Sequence, residues 1–198
     1  MGILLGILTA LTWGSSDFLA RFATHRMGTL RAMLYMQLIG FLLLTAALPF
    51  LGGWGHLADG SGWQPWAWGL LAGSVNAVST LGLYRAFEIG KMAVVAPLSA
   101  SYPVLSVSLS LLSGERLSIP RAAGIACTML GVLLVAGGEK PPDENDAEAV
   151  KRSGKGIGWA LSSAVGFGLL FWLLGLRVIP RVGAPQTVWM IRLTCTVI

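Results

Sequence analysis

Apolar side chains fall into long blocks along the chain, near residues 3–20, 33–51, 66–84, 92–112, 120–136 and 157–176, with a seventh beginning near Gln186. About 20 apolar residues rising 1.5 Å each cover the ~30 Å hydrocarbon core of a bilayer, so each block predicts a transmembrane helix. The seventh stops at Ile198 after 13 residues, too few to cross, and the expectation is that the sequence is a piece of a longer chain. The first block carries a carboxylate, Asp17, in the run Thr12-Trp13-Gly14-Ser15-Ser16-Asp17. A charged Asp at mid-membrane costs roughly 2.5–3.5 kcal/mol on insertion scales, and such residues face a bundle interior or a watery cavity. Asp17 is therefore a site candidate. Its alternative is a structural pair with Arg21, four residues on and on the same helix face.

Polar positions inside the other blocks add to the candidate list. Asn76, Thr80 and Tyr84 recur at every fourth residue with Ser79 beside them, a stripe suited to lining a cavity or to joining helices. The fourth block holds Pro97 and Pro103 around Ser99, Ser101 and Tyr102. Proline frees a helix carbonyl, and interrupted helices in membranes mark transporter binding sites; a simple kink with serine back-bonding is the alternative. Gly69 and Gly73 have the spacing that lets helices approach closely. Four tryptophans, Trp54, Trp63, Trp66 and Trp68, crowd the second connection and read as an interfacial belt.

The opening pattern returns 154 positions later, where Gly2, Ile3, Ala10, Gly14 and Leu19 fall on Gly156, Ile157, Ala164, Gly168 and Leu173. About five blocks fit into one period, which is the symmetry of carriers built from two repeats.

Composition narrows the function. The chain is 55% hydrophobic and 12% charged, with a mean hydropathy of +0.71, whereas soluble domains are about 25% charged. It reads as an integral membrane protein. The net charge of +5 is spread over short connections, which suits topology signals and not nucleic acid. Connections one, three and five carry nine Lys and Arg against four in connections two, four and six, so a cytoplasmic inter-repeat linker and an outward N-terminus are expected. No basic leader precedes the first block, and no cleaved signal peptide is expected. Cys127 and Cys195 lie in apolar blocks and read as packing residues. The two histidines, His25 and His56, stand in different connections without clustered carboxylates, which argues against an enzyme. No cofactor, metal or nucleotide motif is expected.

The run Ala96-Pro97-Leu98-Ser99, then Tyr102-Pro103-Val104, Ser113-Gly114-Glu115-Arg116-Leu117-Ser118, Gly124-Ile125 and Gly131-Val132-Leu133-Leu134-Val135 resembles the end of an EamA repeat of the drug/metabolite transporter superfamily. Trp13-Gly14-Ser15-Ser16-Asp17-Phe18 is similar to its opening, with Asp17 where asparagine is more usual. Trp189-Met190-Ile191-Arg192 resembles the family's arginine-bearing start of the following span, and Gln37 stands near the equivalent place in the first repeat. The resemblance implies an all-α polytopic membrane helix bundle of inverted five-helix repeats, ten spans in full length and six to seven in this chain. It implies a first repeat at 1–136, a polar linker at 137–155 and the start of a second repeat at 156–198. A secondary carrier of a small metabolite or drug-like solute is then expected in a cell membrane, the bacterial inner membrane, with protons or another cation as candidate co-substrates. A non-transporting membrane scaffold, with Asp17 neutralised by Arg21, is the alternative. The candidate substrate-binding residues are Trp13, Ser16, Asp17, Asn76, Ser79, Thr80, Tyr84, Ser99, Tyr102 and Trp172.

Overall fold

A computed structural model of the chain describes residues 2–60, 62–137 and 147–198. Every apolar block is helical: α1 (Gly2–Met27), α2 (Thr29–Ala47), α3 (Gln64–Ile89), α4 (Met92–Ser99), α5 (Tyr102–Leu112), α6 (Ile119–Gly137), α7 (Ala147–Leu173), α8 (Ile179–Val182) and α9 (Ala184–Val197). Among the described residues three stretches, Thr29–Phe50, Val94–Leu112 and Gly154–Val182, are long and apolar enough to cross a membrane, and Ala122–Leu134 is a shorter apolar helix. The backbone groups must be satisfied within each segment in lipid, which is why the blocks are helices.

Two helix boundaries add detail to the sequence expectation. The fourth block divides at Ala100–Ser101, where α4 ends and α5 begins with Pro103 in its first turn. Proline cannot supply an N–H to the turn before it, so the helix stops and restarts there. The Ser101 hydroxyl donates to the Leu98 carbonyl at 2.7 Å. Helix α7 begins at Ala147, within the polar stretch 137–155, because Ala147-Glu148-Ala149-Val150-Lys151-Arg152 is rich in good helix formers. The acidic run Asp143-Glu144-Asn145-Asp146 lies outside the described residues. Beyond Leu173, α7 passes through a π turn at Leu174–Val178 into α8.

Helix α3 is the centre of the bundle. It packs most extensively on α7 and α9 and also meets α1 and α2, and α2 packs on α9 in turn; α4 and α5 run along α7, and α6 leans on α4. Close approach depends on missing side chains. An added Cβ at Gly69 would lie 2.6 Å from Met190 Cε, and one at Gly73 would collide with Thr194, so the expected small-residue spacing is the surface on which α9 sits. Gly166 in α7 likewise leaves room for Ser79, and Gly156 meets the backbone of Gly90. One core gathers Leu48, Ala72, Leu170, Val178, Trp189 and Met190; the other gathers Ala20, Tyr84, Phe87, Val95 and Ala160. Leu19, Leu43 and Leu134 point outward, 65%, 67% and 78% exposed, as befits helices that face acyl chains.

Gly28 and Gly183 connect α1 to α2 and α8 to α9 with nearly the same backbone, φ 83°, ψ 162° and φ 90°, ψ 150°. These left-handed values favour glycine, which has no Cβ to clash.

Candidate functional site

Helices α1, α3, α5 and α7 bring part of the predicted set together. The carboxylate of Asp17 is half-buried, and its charge reaches the hydroxyls of both Tyr84 and Tyr102. Trp13, one turn earlier, lies 6.0 Å from the Phe171 ring, and Tyr102 stacks on Phe171 at 4.9 Å with Phe167 at 6.1 Å. Tyr84 is buried, and its hydroxyl donates to Met36 Sδ on α2. An acidic group, two phenols and an aromatic wall therefore share one region of the bundle.

The pairing of Asp17 with Arg21 is not found. Arg21 Nη1 instead donates to the carbonyls of Phe87 at 3.2 Å and Gly90 at 3.0 Å, the end of α3. Carbonyls at a helix C-terminus have no partner within the helix and attract a cation. Among the described residues no hydrogen bond or ion pair reaches the Asp17 carboxylate, whereas Glu88 is paired with Arg85 at 2.6 Å.

The other candidates are placed differently. Ser16 is exposed beside Asp17. Asn76 donates to Cys195 Sγ on α9 at 3.3 Å, and Ser79 turns back to the Val75 carbonyl at 2.7 Å. Thr80 is buried, and Ser99 is buried with no hydrogen-bond partner for its hydroxyl among the described residues. Trp172 Nε1 donates to the Ser113 hydroxyl at 3.0 Å, just past the end of α5. A surface concavity of about 420 Å³ lies between α5 and α6, lined by Pro103, Val107, Ser110, Glu115, Arg116 and Thr128. Another of about 490 Å³ lies on the outer face of α1 along Leu11, Ser15 and Phe18, and no candidate residue lines either one.

The structure adds a polar pair. Arg192 of α9 donates from Nη1 to Gln37 Oε1 of α2 at 2.8 Å, and its charge reaches Tyr84 and Cys195. Motif reading singled out both residues, but nothing in the sequence shows that they touch. At one end of the bundle Gln186 Nε2 donates to the Gly53 carbonyl at 2.8 Å and Trp189 Nε1 to Thr45 Oγ1 at 2.9 Å, with Trp54 edge-on to Trp189 at 5.1 Å. Trp54 is 42% exposed and meets Trp189 with one edge, and Trp68 lies under Arg181 at 5.6 Å.

A helical bundle with three apolar stretches long enough to cross a bilayer among its described residues has the make-up of a multi-pass membrane protein. The model of the EamA-like transporter family matches residues 1–137, and the chain belongs to that family. It is also similar to an uncharacterised protein of Methanocaldococcus jannaschii, 26% identical over 135 residues, which are 68% of this chain and 95% of the relative. No solved structure matches the chain.

Proposed function

We propose that the chain forms the first repeat and the opening of the second in a secondary carrier, which moves a small metabolite or drug-like solute by rocking the two repeats about a midplane site. Protons or another cation drive the exchange through Asp17. The observation that carries this reading is the half-buried Asp17 carboxylate, unpaired among the described residues while Arg21 is engaged by α3. A scaffold would neutralise the acid, and the cation placed to do so is used elsewhere.

The repeat reading is supported by a change of offset. Gly14 and Leu19 match Gly168 and Leu173 at 154 positions, whereas Gly28 and Gln37 correspond to Gly183 and Arg192 at 155. The π turn at Leu174–Val178 lies between the two sets. A π turn closes its hydrogen bond one residue later than an α turn, so it absorbs one extra residue without breaking the helix.

The test is transport into proteoliposomes with an imposed proton gradient, wild type against Asp17→Asn. The variant is expected to reach the membrane in normal amount and to lose proton-linked movement of any solute the wild type carries. Unchanged uptake at every pH would rule out coupling at Asp17.

A further inference from the structure

Gln37 and Arg192 each stand nine residues past a turning glycine, Gly28 and Gly183. At 1.5 Å per residue both lie about 13 Å into their helices, near the middle of a ~30 Å hydrocarbon core. The guanidinium rests against Gly40, where an added Cβ would stand 3.0 Å from Nε. That bare backbone admits it between α2 and α9. A guanidinium offers five N–H donors in a planar fork. Among the described residues the side chain uses one, on the neutral carbonyl of Gln37, and no carboxylate pairs with it. Gln37 is itself buried, 1% exposed, so it orients the fork without neutralising it. A cation held at this depth with most of its donors unspent calls for an anionic partner.

We propose that Arg192, oriented by Gln37, is the subsite for an oxyanion group of the transported solute, a carboxylate or a phosphate. The inference rests on the carrier reading and deepens it. The fork matches both groups by two parallel hydrogen bonds. Trp13, Tyr102 and Phe171 supply an apolar wall in the same bundle, which suits a ring on the remainder of the solute.

The purified protein is offered probes that share one ring: 3-phenylpropionate, phenyl phosphate, phenethyl alcohol and phenethylamine, with inorganic phosphate alone as a further arm. Thermal stabilisation reports binding, and counterflow in proteoliposomes reports exchange. The anions are expected to stabilise the wild type at lower concentration than the alcohol or the amine, and the better of carboxylate and phosphate identifies the group. Arg192→Gln is expected to weaken anion binding roughly tenfold or more, the scale of a charge-assisted hydrogen bond, while alcohol binding stays unchanged. Gln37→Ala keeps the charge and is expected to keep the anion preference. Anions that bind no better than the alcohol, or that bind Arg192→Gln as well as the wild type, overturn the subsite and leave the carrier reading standing. Anions that bind through Arg192 yet never exchange across the bilayer overturn the carrier reading.

Discussion

Single side chains tie the helix ends together, and the tie between α2 and α3 depends on protonation. The Thr29 hydroxyl at the start of α2 and Arg85 Nη1 both donate to the same oxygen of Glu88, which stands four residues beyond the apolar block ending at Tyr84. The hydrogen bond from Thr29 first, with a further contribution from Arg85, holds the Glu88 carboxyl below its ordinary range against partial burial. A carboxylate whose folded pKa is depressed stabilises the fold fully above its unfolded value and loses that contribution as pH falls through the folded one. The thermal midpoint in detergent is therefore expected to fall on acidification through the carboxylate range, with a shallower fall in Glu88→Gln. An equal slope in the variant would assign the acid sensitivity to other groups.

At the scale of elements, stability turns on how closely α9 lies on α3. Gly73 faces Thr194 with no room for a side chain, whereas an added Cβ at Gly131 of α6 meets nothing within 4 Å. Gly73→Val is expected to cost about 1–3 kcal/mol, the usual scale of overpacking, and to lower the thermal midpoint. Gly131→Ala is expected to leave it unchanged or raise it, since glycine is about 0.8–1 kcal/mol worse than alanine inside a helix. Equal midpoints for Gly73→Val and wild type would mean that α9 does not press on α3. The helices and the break between Pro97 and Pro103 were legible in the sequence because lipid enforces helix and proline ends it, both local effects. The partners of Arg21 and Arg192 were not. A rule that sees four residues along one helix pairs Arg21 with Asp17, whereas the carbonyls that hold it are 66 and 69 residues away and the amide that holds Arg192 is 155 away. Such choices are made by packing. The stripe Asn76, Thr80, Tyr84 shows the same limit, for spacing put the three on one face but left open that Asn76 meets Cys195 and Tyr84 meets Met36 on other helices.

At the scale of the whole molecule the connections sort into two ends. Arg21 bonds to Gly90, and Gly156 lies against Gly90, so the α1–α2 turn, the α3–α4 turn and the start of the apolar part of α7 share one end. Gln186 bonds to Gly53 and Trp54 meets Trp189, which brings the α2–α3 connection and the α8–α9 turn together at the other. The basic connections are those of the first end, where Arg21, Arg26, Arg31, Arg85 and Lys91 lie within or beside the two turns. Basic flanks are retained on the cytoplasmic side during insertion, so that end is expected to face the cytoplasm and the tryptophan-rich α2–α3 connection to face out. With both native cysteines replaced, Trp63→Cys, 75% exposed in the wild-type side chain, is expected to react with a membrane-impermeant maleimide on intact cells. His25→Cys, exposed at the other end, is expected to react only after permeabilisation. The reverse pattern would invert the protein in the membrane and place the Gln186–Gly53 and Trp189–Thr45 contacts on the cytoplasmic side. Labelling of both positions on intact cells would contradict the separation of the two ends.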